Sequence, residues 1–79
     1  MSYYRVNIAI KWANGDLEGF SASALTESAA RQRAINKAVT KSKEMRIAGQ
    51  WIALNGPQYK ALSIDQQDSL QADWDSESI

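Results

Sequence analysis

Residues 4–25, YRVNIAIKWANGDLEGFSASAL, decide the fold. Tyr4, Val6, Ile8, Ile10 and Trp12 lie on one side of an alternating stretch and Arg5, Asn7 and Lys11 on the other, the period-two pattern of a half-buried strand. Ala13-Asn14-Gly15-Asp16 supplies turn chemistry, and Leu17 to Leu25 reads as the return strand. A two-residue Asn14-Gly15 loop would set Ile8 opposite Ser21 and turn Phe20 to the side of Arg5 and Lys11. A three-residue loop with Gly15 in the left-handed position of a bulge sets Ile8 opposite Phe20, Val6 opposite Ala22 and Tyr4 opposite Ala24, so that the large apolar residues share one face. The bulged turn is therefore expected.

Downstream, Thr26 has the chemistry of a helix N-cap, and Glu27 suits the positive end of the helix dipole. A helix of about 20 residues follows, from Glu27 to roughly Arg46, with Gly49 as its stop. Ala34, Ile35, Ala38, Val39, Ser42 and Met45 share one arc of the helical wheel, the face expected to cover the hairpin. Arg31 falls in that arc too and has Glu27 four residues earlier as a partner. Gln50 to Leu54 and Tyr59 to Ile64, separated by Asn55-Gly56-Pro57, read as a second hairpin. The expected fold is α+β: a two-layer sandwich in which an antiparallel sheet (ββαββ) carries one long helix packed across one face. Residues 1–64 would form this single domain. Residues 65–79 would be an acidic C-terminal tail, disordered or opened as a short helix by a capping box over Ser63 to Gln66 and ending near Ala72.

Composition excludes more than it assigns. The chain has 79 residues with no cysteine and no histidine, so disulfides, thiolate or imidazole metal sites and His-based acid–base catalysis are ruled out. No pair of carboxylates falls on one expected face, so a non-enzyme without metal or cofactor is expected. The apolar runs are far shorter than the roughly 20 residues that span a bilayer, and the start, MSYYRV, has no leader pattern. A soluble cytoplasmic protein with no membrane partner is expected, and its small core makes a homodimer a natural supplement.

The charge is zero in total but not evenly spread. Residues 1–60 hold all nine cations and four acids, a net of +5, and residues 61–79 hold five acids and no cation, a net of −5. Residues 31–43, RQRAINKAVTKSK, carry five cations and no acid, with Arg33, Lys37 and Lys41 at successive i, i+4 positions. This row admits three readings: an ordinary solvated face, an electrostatic patch for an anionic partner, or a seat for the chain's own acidic tail. The candidate partner-binding residues are Arg33, Lys37, Lys41 and Lys43, with Trp74 as an aromatic docking anchor in the tail. Tyr4, Trp12, Phe20 and Trp51 follow the strand periods and are assigned to the core.

Tyr4 to Val39, two strands with a Gly-bearing turn and a helix opening TESAARQRA, resembles the second half of a double-stranded RNA-binding domain. The resemblance implies phosphate contacts from a lysine cluster at the helix start, where this chain has Thr26-Glu27-Ser28-Ala29-Ala30. In architecture the chain is similar to small phage accessory proteins, anti-CRISPR inhibitors among them, which implies action by occupying the surface of a larger complex. The function expected is a non-enzymatic binding module acting through protein–protein contact, with nucleic-acid binding by the basic helix face as the alternative.

Overall fold

The computed structural model describes residues 2–77. Its elements in chain order are β1 (Tyr4–Trp12), β2 (Leu17–Ala24), α1 (Glu27–Met45), β3 (Gly49–Ile52), α2 (Pro57–Lys60) and α3 (Ile64–Glu77). The three strands form one antiparallel sheet in the order β2-β1-β3, and α1 lies across one face, an α+β fold.

The hairpin takes the register that its apolar side chains demand: Tyr4 opposite Ala24, Val6 opposite Ala22, Ile8 opposite Phe20. The loop is Ala13-Asn14-Gly15, closed by Trp12 N–H donating to Asp16 O at 2.8 Å, with Gly15 at φ 93°. That backbone region is open to glycine at little cost. The buried side of the hairpin, Ile8, Ile10, Trp12, Phe20 and Ala22, packs against Ala34 and Ala38 of α1. Trp12 meets Phe20 edge to face, ring centroids 6.2 Å apart.

Helix α1 begins as its cap chemistry dictates, with Ala29 N–H donating to Thr26 Oγ1 at 3.2 Å, and Arg31 pairs with Glu27 at 3.1 Å. Its end differs from expectation. Arg46 itself takes the left-handed conformation, φ 55°, and its N–H returns to Ser42 O. Gly49 instead opens β3, where a Cβ would come within 2.6 Å of Ile10 Cγ2. The covering face is also narrower than the expected arc: Ala30, Ala34 and Ala38 are buried, whereas Val39 is 45% and Met45 43% exposed.

The expected fourth strand is absent among the described residues. Pro57 sits at the start of the short helix α2, a position where its fixed φ fits and its missing N–H costs nothing. Ser63 and Gln66 then cap α3 reciprocally, Gln66 N–H to Ser63 Oγ at 3.2 Å and Ser63 N–H to Gln66 Oε1 at 3.0 Å. Helix α3 continues past Ala72 to Glu77 and packs on the sheet face opposite α1, where Leu70 and Trp74 join Ala9 and Ile52 in a second buried cluster. Residues 65–77 are thus part of the packed body. Residue 1 and residues 78–79, the ends of the expected domain and tail, lie outside the described residues. No helix among the described residues is long and apolar enough to cross a membrane.

Helix α3 can approach β2 because Gly19 has no side chain; a Cβ there would lie 2.5 Å from Trp74 Nε1 and 3.0 Å from Leu70 O. Gly19→Ala is expected to cost about 1–3 kcal/mol and to lower Tm by about 4 °C or more, read by circular dichroism. An unchanged Tm would show that α3 does not press on the sheet at this point.

Candidate functional site

The two outer strands of the sheet are finished in opposite ways, and the basic residues of α1 divide between them. In β2, residues 19, 21 and 23 turn their backbone groups away from β1, so a row of donors and acceptors faces outward. Side chains from both helices meet it. Lys37 Nζ donates to Ser21 O at 2.6 Å and Arg33 Nη1 to Ser23 O at 3.0 Å, while Ser21 N–H donates to Glu77 Oε2 at 2.7 Å and Gly19 N–H to Asp73 Oδ2 at 3.1 Å. Lys37 also lies 3.7 Å from Glu77, and Lys41 pairs with Glu18. Cations of α1 cover the carbonyls and carboxylates of α3 the amides, so charged side chains block this edge from further pairing. Arg5 ties the same corner together, donating to Ser21 Oγ at 2.9 Å and to Trp74 O at 2.6 Å.

This arrangement changes what the candidate residues do. Arg33, Lys37 and Lys41 are brought together as the sequence spacing requires, but they are not an uncompensated row: two face carboxylates and one a strand carbonyl. Trp74 is a correction. It is 3% exposed, with its indole N–H donating to Ile8 O at 2.9 Å, and it belongs to the core instead of to a docking surface. Its polar surroundings in sequence concealed an i, i+4 pair with Leu70, which is the periodic signal that places it.

Lys43 points elsewhere. It stands at the rim of a groove of about 320 Å³ between α1 and β3, with Ile8, Ile10 and Trp12 as the floor, Ile35, Val39 and Lys43 along one wall and Trp51 on the other. Helix α1 covers β1 and β2 and leaves the β3 side uncovered, so Trp51, assigned to the core from its period, is 44% exposed. The strand edge beside the groove is open. Ala13 N–H donates to Ala48 O at 2.8 Å, so in the antiparallel ladder Gln50 and Ile52 bond to β1 while Gly49 and Trp51 turn their N–H and C=O groups outward. Among the described residues no side chain meets them.

The cations left without an ion pair or side-chain hydrogen bond among the described residues are Lys11, Lys43, Arg46 and Lys60. Three of them flank β3: Lys11 lies directly opposite Gln50, Lys43 borders the groove, and Arg46 ends α1 just before the chain enters the strand. Glu44 lies on the other flank of α1, with Lys37 and Lys41. Among the described residues the groove contains no acid, and its one hydroxyl there, Ser42, donates to Ile47 O at 2.6 Å. No group of three or more metal-ligating side chains comes together among the described residues. The site offers apolar surface, a strand edge and positive charge. Comparison with known proteins finds no family, no curated relative and no solved structure that matches the chain.

Two outcomes check this division of labour. Trp74→Ala is expected to cost about 3–5 kcal/mol, a large part of the roughly 4–12 kcal/mol that a domain of this size holds. Chemical denaturation reads it, and near-wild-type stability would return Trp74 to the surface. A double-mutant cycle on Glu18 and Lys41 is expected to give a coupling below about 1 kcal/mol, because both side chains are part-exposed and solvent screens them, falling further in about 1 M salt.

Proposed function

We propose that the protein is a non-enzymatic binding module that holds an acidic protein partner in the groove between α1 and β3. The observation that carries this reading is the pairing of an uncovered apolar groove with the cations that the fold leaves unpaired. In a chain this short, apolar surface is scarce, and leaving Val39 and Trp51 about half exposed sacrifices burial that would have stabilised the core. Lys43 at the rim and Arg46 at the end of α1, ahead of β3, favour a negatively charged partner, by steering its approach and by selecting against basic surfaces. The setting this reading fits is a cytoplasmic accessory protein, of the kind phages use, whose activity consists of occupying a site on something larger. Nucleic acid is the weaker candidate, since Arg33, Lys37 and Lys41 are engaged within the chain and the open groove is apolar.

The test uses a partner recovered by affinity capture and then purified, with binding measured by calorimetry. Lys43→Glu combined with Arg46→Glu is expected to weaken binding by about tenfold or more, with the fold retained by circular dichroism and Tm lowered only by the several degrees that charge reversal at the end of α1 costs, and Val39→Asp to do the same. Lys41→Gln should leave affinity within about twofold. Binding that survives the groove changes and is lost with Lys41→Gln would overturn the assignment. So would tight binding of labelled RNA or DNA with a steep salt dependence.

A further inference from the structure

We infer that the occupant of the groove docks as an added β-strand on the free edge of β3, and that it is an extended segment of a different protein in which apolar and acidic residues alternate. This rests on the groove reading and makes it specific. The backbone supplies the first reason. Gly49 and Trp51 each present an N–H and a C=O outward with no partner among the described residues, and Gly49, Gln50 and Trp51 are all exposed. An added strand satisfies those groups; a helix has already spent its own on itself.

The contrast between the edges is the second reason. On β2, two N–H and two C=O groups are met by Asp73, Glu77, Lys37 and Arg33. On β3, among the described residues, no proline, inward-pointing charge or covering side chain plays that part, and its shortness alone limits pairing.

Side chains then select the sequence. A strand on this edge alternates between the two faces of the sheet. Residues on the α1 side fall beside Trp51 at the mouth of the apolar groove, with Lys43 on the far rim. Those on the other side fall on the face that carries Gln50 and Lys11, where an acidic residue finds an unpaired cation. At about 320 Å³ the groove has room for a few apolar side chains but not for a helix 10–12 Å across. A second copy is disfavoured as occupant. Two-fold pairing of β3 with itself would gather Lys11, Lys43 and Arg46 of both copies around one seam, and the groove supplies no acid among the described residues to offset them.

The experiment titrates the isotope-labelled full chain with synthetic peptides of about eight residues that alternate Glu with Val or Thr. Each is N-methylated on alternate residues, so that one edge cannot self-associate and the other stays free to pair. The expected result is saturable shifts at Gly49 to Ile52 and Val39, with exchange of the Trp51 amide slowed by about tenfold or more. Methylating every residue should abolish binding, as should replacing Glu by Lys. A peptide of the same composition rearranged to helical spacing that binds the groove without slowing Trp51 exchange would overturn strand addition while leaving the groove as the site. Concentration-dependent protection of Trp51 in the protein alone, with a dimer mass in sedimentation, would overturn the acidic partner in favour of a second copy. If no peptide shifts any groove residue at millimolar concentration, the strand inference falls, while the groove reading is judged separately by the loss of partner binding in Lys43→Glu with Arg46→Glu.

Discussion

The alternation of hydrogen bonds along β1 is the constraint on which the rest of the molecule depends. Even-numbered residues of β1 bond toward β2 and odd-numbered residues toward β3, an order set at the turn by Trp12 N–H to Asp16 O and by Ala13 N–H to Ala48 O. The same alternation sends Ile8, Ile10 and Trp12 to α1 and Ala9 to α3. It also determines which backbone groups of the outer strands are left over: those of Gly19, Ser21 and Ser23 on one side, and of Gly49 and Trp51 on the other. A slip of one residue would put Phe20 on the wrong face and Ser21 out of reach of Lys37 at the same time. Core and surface chemistry are therefore coupled through one strand.

The dipolar charge distribution acquires its meaning from this geometry. Acids of α3 and cations of α1 meet across the β2 edge, although the two helices lie on opposite faces of the sheet. Part-exposed ion pairs contribute little energy individually. Their larger effect is to give partners to strand groups that would otherwise be half-buried and unsatisfied, and to make that edge a poor template for another chain. The acids consumed there leave the β3 side with a positive margin.

Much of the architecture was legible locally. Strict alternation over Tyr4–Trp12, with the position of Phe20, was enough for the register, and Thr26 marked where α1 begins. After β3 the weak alternation of Tyr59 to Ile64 competes with Pro57 at a helix start, and the proline prevails. Polarity hid the length of α3: Leu70 and Trp74 are one turn apart and carry its packing, while the residues between and around them read as solvated. The candidate site was only partly visible. Spacing along α1 shows that Arg33, Lys37 and Lys41 share a face, but not that β2 lies beside that face; only the tertiary fold tells their fate from that of Lys43. In the arc expected to cover the sheet, Ile35 packs against the first cluster while Val39 is exposed, because a helical wheel cannot show where the sheet ends.

One edge of the sheet is closed by side chains and the other is held open beside an apolar groove. Native-state hydrogen exchange of the free protein tests that asymmetry most directly, since it reads each outward amide by itself. The amides of Gly19 and Ser21, bonded to Asp73 and Glu77, should exchange with protection factors set by opening of the fold, while the Trp51 amide should exchange close to the rate of an unstructured chain. Protection of Trp51 equal to that of Ser21, or fast exchange at both, would contradict the account.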